Sequence, residues 1–205
     1  GGNRKLWGDE HEVVAVEKDQ AIAQKYHELF PKDTVIVEDA HKYLLEHYKE
    51  FDFIWGSPPC PTHSRANYWA NGADNRIVNY PYMKLWQEII FIKHYFKGKW
   101  VIENVIPYYD PLINPTKQIG RHYLWANFII TEFTEIWSYK TNDRCVDLEP
   151  MFGYNLSGYK LNKKLQVLRN TVQPEIGLHI LNTAQGIINQ PNPEQLDIFD
   201  HEQTN

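Results

Sequence analysis

Glu12-Val13-Val14-Ala15-Val16-Glu17, then Asp19 with Ile22, Tyr26, Leu29 and Phe30 behind it, then Thr34-Val35-Ile36-Val37: this stretch decides the fold. The first run is short, apolar and rich in β-branched valine, so it reads as a buried strand. Asp19 is placed to cap a helix whose apolar residues recur at helical spacing, and Pro31 ends it because it lacks an amide donor. Thr34 to Val37 is then a second strand. The rhythm continues outward. Ala40, Tyr43, Leu44, His47 and Tyr48 fall at helical spacing, and Phe51-Asp-Phe-Ile-Trp55 reads as a third strand that breaks at Gly56-Ser57-Pro58-Pro59. Leu85, Trp86, Ile89, Ile92 and Phe96 mark a long helix, and Lys99-Trp-Val-Ile102 a fourth strand. Strand and helix in strict alternation predict an α/β fold, a Rossmann-like and mostly parallel sheet with helices on both faces. Chemistry in such a sheet gathers at the carboxyl ends of the strands. Glu17, Glu38-Asp39, Ser57 to Cys60 and Glu103-Asn104 are therefore expected on one rim.

Beyond Val105 the pattern loosens. Tyr123 to Trp125, Phe128 to Ile130 and Phe133 to Tyr139 look like strands, and a last helix is expected from Glu175 to Ala184. From Asn189 onward Asn, Gln, Pro and Asp dominate, and this tail reads as disordered. The chain has 205 residues, 42% apolar and 23% charged, which is enough for one domain with a real core. No apolar run approaches the roughly 20 residues that span a bilayer, and no secretory pattern opens the chain. Two cysteines, Cys60 and Cys145, do not make a disulfide scaffold, so the expected location is a reducing cytoplasm. A formal charge of −5 means that any nucleic-acid surface must be local.

Ser57-Pro58-Pro59-Cys60-Pro61-Thr62-His63-Ser64 follows a buried strand directly. Two prolines fix the backbone and present the next residue rigidly. A cysteine there suits a nucleophile, although a lone cysteine in a proline-rich turn is more often a structural thiol. His63 offers the partner for a Cys–His hydrolase, although so close a neighbour rarely reaches catalytic geometry. Glu103-Asn104, at the end of the next core strand, is expensive to bury without partners. An acid beside a thiol raises the thiol's pKa, so the pair makes better sense if the carboxyl contacts substrate while the thiol attacks it.

Pro58-Pro59-Cys60 followed by Glu103-Asn104-Val105 resembles the signature of the DNA cytosine-C5 methyltransferases, and more of that family's pattern follows in order. Gly1-Gly2 resembles the end of its glycine-rich cofactor loop, Val16-Glu17-Lys18 its acidic strand end, and Glu38-Asp39-Ala40 its next loop. Gln118-Ile-Gly-Arg121-His122-Tyr-Leu-Trp125 is similar to its arginine-bearing strand, and Asn170-Thr171-Val172-Gln173-Pro174 to the segment opening its closing helix. The resemblance implies a class I methyltransferase fold that transfers a methyl group from S-adenosylmethionine to C5 of a flipped-out cytosine in double-stranded DNA. It assigns Cys60 as the nucleophile at C6, Glu103 as the residue holding N3 and the exocyclic amine, and Arg121 as support for the base. Gly1, Gly2, Glu17, Asp39, Ser57, Pro58, Asn170 and Val172 fall to the cofactor, and no metal is implied. An RNA cytosine-C5 methyltransferase, or a non-catalytic DNA-binding protein, would share part of this pattern.

The chain departs from the family pattern in three places. Pro61 stands where many members have Gln, and a single arginine, Arg121, stands where two often alternate, which leaves His122 as the other residue able to face the base. The first strand and most of the glycine-rich loop do not precede Gly1, so a leading segment is expected outside this sequence, and without it an inactive protein. The expected layout is a catalytic and cofactor core over 1–127, a small target-recognition region over 128–169, a closing helix over 170–188 and a tail over 189–205. The recognition region holds only about forty residues, few for an independent domain. Its basic residues Lys160, Lys163 and Lys164 are candidates for phosphate contacts or for a solvated loop. Arg65 and Arg76 belong to a polar segment after Cys60 that is expected to close over the base. In the tail, Gln195-Leu196-Asp197-Ile198-Phe199 is similar to the pentapeptide by which bacterial proteins dock on the sliding clamp, with Gln195, Leu196 and Phe199 as its anchors.

Overall fold

The computed structural model describes residues 1–71, 79–137, 140, 143–156 and 164–187. The leading βαβ unit forms as the periodicity requires. β1 (Val14–Val16) is followed by α1 (Gln20–Leu29), β2 (Thr34–Ile36) and α2 (Ala40–His47). Asp19 caps α1, its carboxylate accepting the Ala21 and Ile22 amides, and Asp39 caps α2 by accepting those of His41 and Lys42. Each side chain thereby satisfies amides that a helix start leaves without partners. β1 and β2 pair in parallel with Val16 opposite Ile36.

β3 (Phe53–Gly56) leads through α3 (Arg65–Asn71) and α4 (Lys84–Tyr95) to β4 (Lys99–Val105), and β3 and β4 are parallel. A tight hairpin then follows, β5 (Lys117–Ile119) and β6 (His122–Ala126), turning on Gly120 and Arg121. Gly120 has φ +56°, a left-handed conformation that a residue with a side chain adopts at a cost. β6 runs antiparallel to β4, so the second sheet has the order β3-β4-β6-β5. The fold is α/β with small sheets: among the described residues there are two, β1–β2 and β3–β4 pair in parallel as expected, and the other two of the four strand pairings are antiparallel. Chain direction reverses here because a two-residue turn joins β5 to β6, whereas a parallel return needs a crossover of a dozen residues or more.

Alternation along β4 sorts its side chains between two cores. Trp100 and Ile102 point to one face, where Leu85, Trp86, Ile89 and Ile92 of α4 and Trp125 of β6 pack. Val101 and Leu124 point to the other, onto Ile176 and Ile180 of α7 (Pro174–Ala184). Each large side chain fully buried this way is worth about 1.5–3 kcal/mol, so the α4 and α7 interfaces hold the sheet. α5 (Cys145–Phe152) and α6 (Lys164–Arg169) build a third cluster with Leu148, Phe152, Leu156 and Leu168. Cys145 packs against it, in a structural place. Phe128 and Ile130 are buried against α7 without forming a strand, and residues 128–137 contain no regular element. Their apolar pattern reports burial, which an apolar run alone does not distinguish from strand pairing.

The segment before β1 is pinned to the rest of the chain. Arg4 donates to both oxygens of Asp33 at 2.9 Å each, and the Tyr26 hydroxyl donates to the same carboxylate at 2.7 Å. The Trp7 indole donates to the Gly177 carbonyl on α7 and packs on Phe53 and Trp55 of β3. A side chain at Gly177 would lie 2.2 Å from the Asn3 carbonyl oxygen, so this contact of backbones needs glycine. Among the described residues, no helix is long and apolar enough to cross a membrane.

Candidate active site

Two strand ends and one hairpin turn build the site. The chain leaves β3 through Ser57 and two prolines, and the Asn104 amide donates to the Pro58 carbonyl at 2.9 Å, tying this turn to β4. Asn104 is 1% exposed, and its oxygen accepts the Val105 amide, so the buried polar group is satisfied on both sides. Glu103 is opposite Leu124, and Val105 opposite His122. Period-two geometry therefore puts Glu103 and His122 on the same face as diagonal neighbours. His122 Nε2 lies 3.5 Å from Glu103 Oε1.

Cys60, Glu103 and Arg121 come together. The Cys60 thiol is pushed up by burial and by the neighbouring Glu103, while Arg121 pulls it down. Burial raises Glu103 to about 7, against a bond from the Ser57 hydroxyl and the charge of Arg121. Arg121 feels both Cys60 and Glu103, and its guanidinium donates to the Arg169 carbonyl at 2.5 Å. His122 is lowered to about 4 by burial and then by Arg121, which keeps its imidazole neutral at physiological pH. Cys60 Sγ donates to the Asn170 side-chain oxygen at 4.0 Å, so the segment opening α7 closes over the thiol. Near neutral pH the site thus holds a thiol, a carboxyl that is part ionised, a fixed cation and a neutral imidazole. A cleft of about 250 Å³ runs from Arg121 and His122 toward Trp137, Phe152 and Gln173.

The remaining candidates are placed as follows. Glu17, at the carboxyl end of β1, accepts the Asp19 amide through one oxygen, and Asp39 follows β2. The parallel register sets these two carboxylates on one edge. Each uses one oxygen to accept from the backbone and has a second to accept from a hydroxyl or amine, so this pair of acceptors fits a nucleoside cofactor. Gly2 is packed on Thr171 and Val172, and Gly1 on Tyr26 and Phe30. Val172 is buried in the α7 core. Arg65 is exposed at the start of α3, and the Lys164 ammonium donates to the Leu156 carbonyl at 2.7 Å. Arg76, Lys160, Lys163, Gln195, Leu196 and Phe199 lie outside the described residues. Sequence reasoning missed the contact of Ser57 with Glu103 and that of Arg121 with Arg169, for which no spacing rule gives a signal.

The fold and site define a mixed α/β protein with a thiol, an acid and a guanidinium at one sheet edge. Residues 8–111, half of the chain, match the C-5 cytosine-specific DNA methylase family, and the chain belongs to it. No curated protein and no solved structure matches the chain. The matched region contains Glu17, Asp39, Cys60 and Glu103. The protein is accordingly a DNA (cytosine-5-)-methyltransferase that uses S-adenosylmethionine as methyl donor.

Proposed function

We propose that Cys60, Glu103 and Arg121 act together on one cytosine extruded from duplex DNA. The observation that carries this reading is the buried Glu103 beside the thiol, with its pKa near 7. A carboxyl poised there is protonated often enough to donate to N3 of the ring while its other oxygen accepts from the exocyclic amine. The Cys60 thiolate adds to C6, the C5–C6 double bond gives its electron pair to C5, and Arg121 offsets the charge that develops. Glu17 and Asp39, with Ser57, Pro58, Asn170 and Val172, would hold S-adenosylmethionine, which when bound would supply the methyl group to C5. Release of the C5 proton to water then restores the double bond and expels Cys60 as thiolate. Extrusion of the base costs a few kcal/mol. Arg65, Tyr68 and Trp69 share one face of α3, and Tyr68 and Trp69 are 59% and 71% exposed, which supports this face as a DNA contact.

The experiment is mechanism-based trapping. Duplex DNA carrying 5-fluorocytosine at the target, with S-adenosylmethionine, should give a covalent adduct at Cys60, because fluorine cannot leave as the proton does. Cys60→Ser should give none. An adduct that persists in the variant sinks the nucleophile assignment.

A finer reading of the fold accompanies this one: the two sheets are halves of a single doubly wound sheet. What supports it is that, among the described residues, β1 pairs only with β2 and β3 only with β4. Both are apolar strands left half-buried. A further parallel strand contributed from outside residues 1–205 would satisfy both edges. Amide exchange in Val14–Val16 and Phe53–Gly56 should then slow in a longer chain that includes it. The Gln195 to Phe199 pentapeptide is proposed as a docking segment for the sliding clamp.

A further inference from the structure

Two residues beyond the proline that follows Cys60, the loop turns inward at His63, whose side chain is fully buried at 0% exposure. Its Nδ1 lies 2.5 Å from the Tyr109 hydroxyl. Its backbone is fixed on both sides, the amide donating to the Cys60 carbonyl at 3.0 Å and the carbonyl accepting the Tyr108 amide at 3.1 Å. Thr62 is held as well, its hydroxyl accepting the Tyr82 amide and its carbonyl accepting from Asn67. Tyr109 leans edge-on against Trp86 of α4, and Trp86 against Trp125 of β6, so the loop is braced on the central core.

We propose that the His63–Tyr109 bond is a latch that fixes the turn carrying Cys60, which makes His63 a positioning residue for the nucleophile. The part that concerns catalysis rests on Cys60 being that nucleophile. An imidazole buried at a site that an apolar ring could fill carries a desolvation cost, unless its hydrogen bonds are used. Burial also lowers its pKa, which keeps the ring neutral. In either neutral tautomer Nδ1 bonds the hydroxyl, as acceptor of the O–H or donor to the oxygen. Nδ1 is thus engaged by Tyr109, while Nε2 is buried without a hydrogen-bond partner and the thiol turns to Asn170. With Pro61 stiffening the link, a fixed His63 leaves the sulfur little freedom. That matters because a misplacement of about 1 Å can cost on the order of 100-fold in rate.

The test uses the full chain with Tyr109→Phe, which removes one oxygen and keeps the ring, and with His63→Asn and His63→Leu. Three quantities are read: the rate of adduct formation on 5-fluorocytosine duplex, the affinity for S-adenosylmethionine, and the alkylation rate of Cys60 by iodoacetamide against Cys145 as internal reference. Tyr109→Phe should slow adduct formation by about 10-fold or more, with cofactor affinity unchanged and Cys60 alkylation faster while Cys145 stays the same. His63→Asn, which keeps a polar atom near the Nδ1 position, should recover most of the rate that His63→Leu loses. If Tyr109→Phe leaves both adduct formation and Cys60 alkylation as in the parent, or if Asn and Leu behave alike, there is no latch. A parent chain that forms no adduct at all refutes Cys60 as nucleophile, and the alkylation comparison still decides the latch.

Discussion

Replacing Glu103 by Gln should stabilise this protein at alkaline pH while disabling it. Glu103 is 7% exposed, and burial lifts its pKa from 4.5 to about 7. The folded state therefore holds the proton more tightly than the unfolded chain does. The sign follows from linkage: the benefit is fully present below pH 4.5 and is lost as pH rises through 7. At pH 8 the ionised carboxylate costs the folded state about 3 kcal/mol, from 1.36 kcal/mol per pH unit of displacement. Gln matches the shape of the protonated acid and does not ionise, so Glu103→Gln should equal the parent near pH 4 and exceed it by about 3 kcal/mol at pH 8. Urea unfolding at the two pH values, followed by tryptophan fluorescence, measures the difference. A stability gap that is the same at both would refute the claim that burial of this carboxyl sets its pKa. Loss of activity together with a gain in stability is the pattern expected where a site keeps an unfavourable group for its chemistry.

In the proposed mechanism the reactive pair, thiolate with protonated Glu103, has the same number of protons as thiol with ionised Glu103. The profile of kcat/KM should therefore rise with pH through about 7 and level off until the thiol ionises. In any residual activity of Glu103→Gln that rise should be absent, and its persistence would assign it to another group. Asp33→Asn leaves Arg4 buried without its counter-charge and should cost about 3–5 kcal/mol in thermal unfolding, whereas replacing both by apolar residues should cost much less. A peptide covering Pro193 to His201 should bind a bacterial sliding clamp by fluorescence anisotropy, and the Phe199→Ala peptide should not. Equal binding by both would remove the clamp from consideration.

The leading βαβ unit was legible because its signals are local. Asp19 and Asp39 cap the helices they precede, and the valine-rich runs pair as expected. α4 followed from Leu85, Trp86, Ile89 and Ile92 at helical spacing, all of them buried. The Pro-Pro-Cys turn and Glu103 were legible as chemistry because a thiol in a rigid turn and an acid in a core strand are costly choices. α5 and α6 were not read. α5 has Pro150 inside it, which obscures a helical pattern. Tyr123 to Trp125 reads as a strand and lies in β6, whereas β5 and the hairpin joining the two were not legible, because Gly120-Arg121 gives a weak turn signal until the left-handed glycine is seen.

Sequence by itself determined the alternation of strand and helix, the two carboxylates at the ends of β1 and β2, and the identity of the groups able to do covalent chemistry. Spacing along a chain carries that information because backbone periodicity is local. Tertiary structure alone decided the direction of β6, the meeting of Arg121 and Asn170 with Cys60, and the protonation of Glu103 and His122. Those depend on which segments, dozens of residues apart, exclude water from the same few atoms. Desolvation is a property of that shared volume, and no local pattern records it.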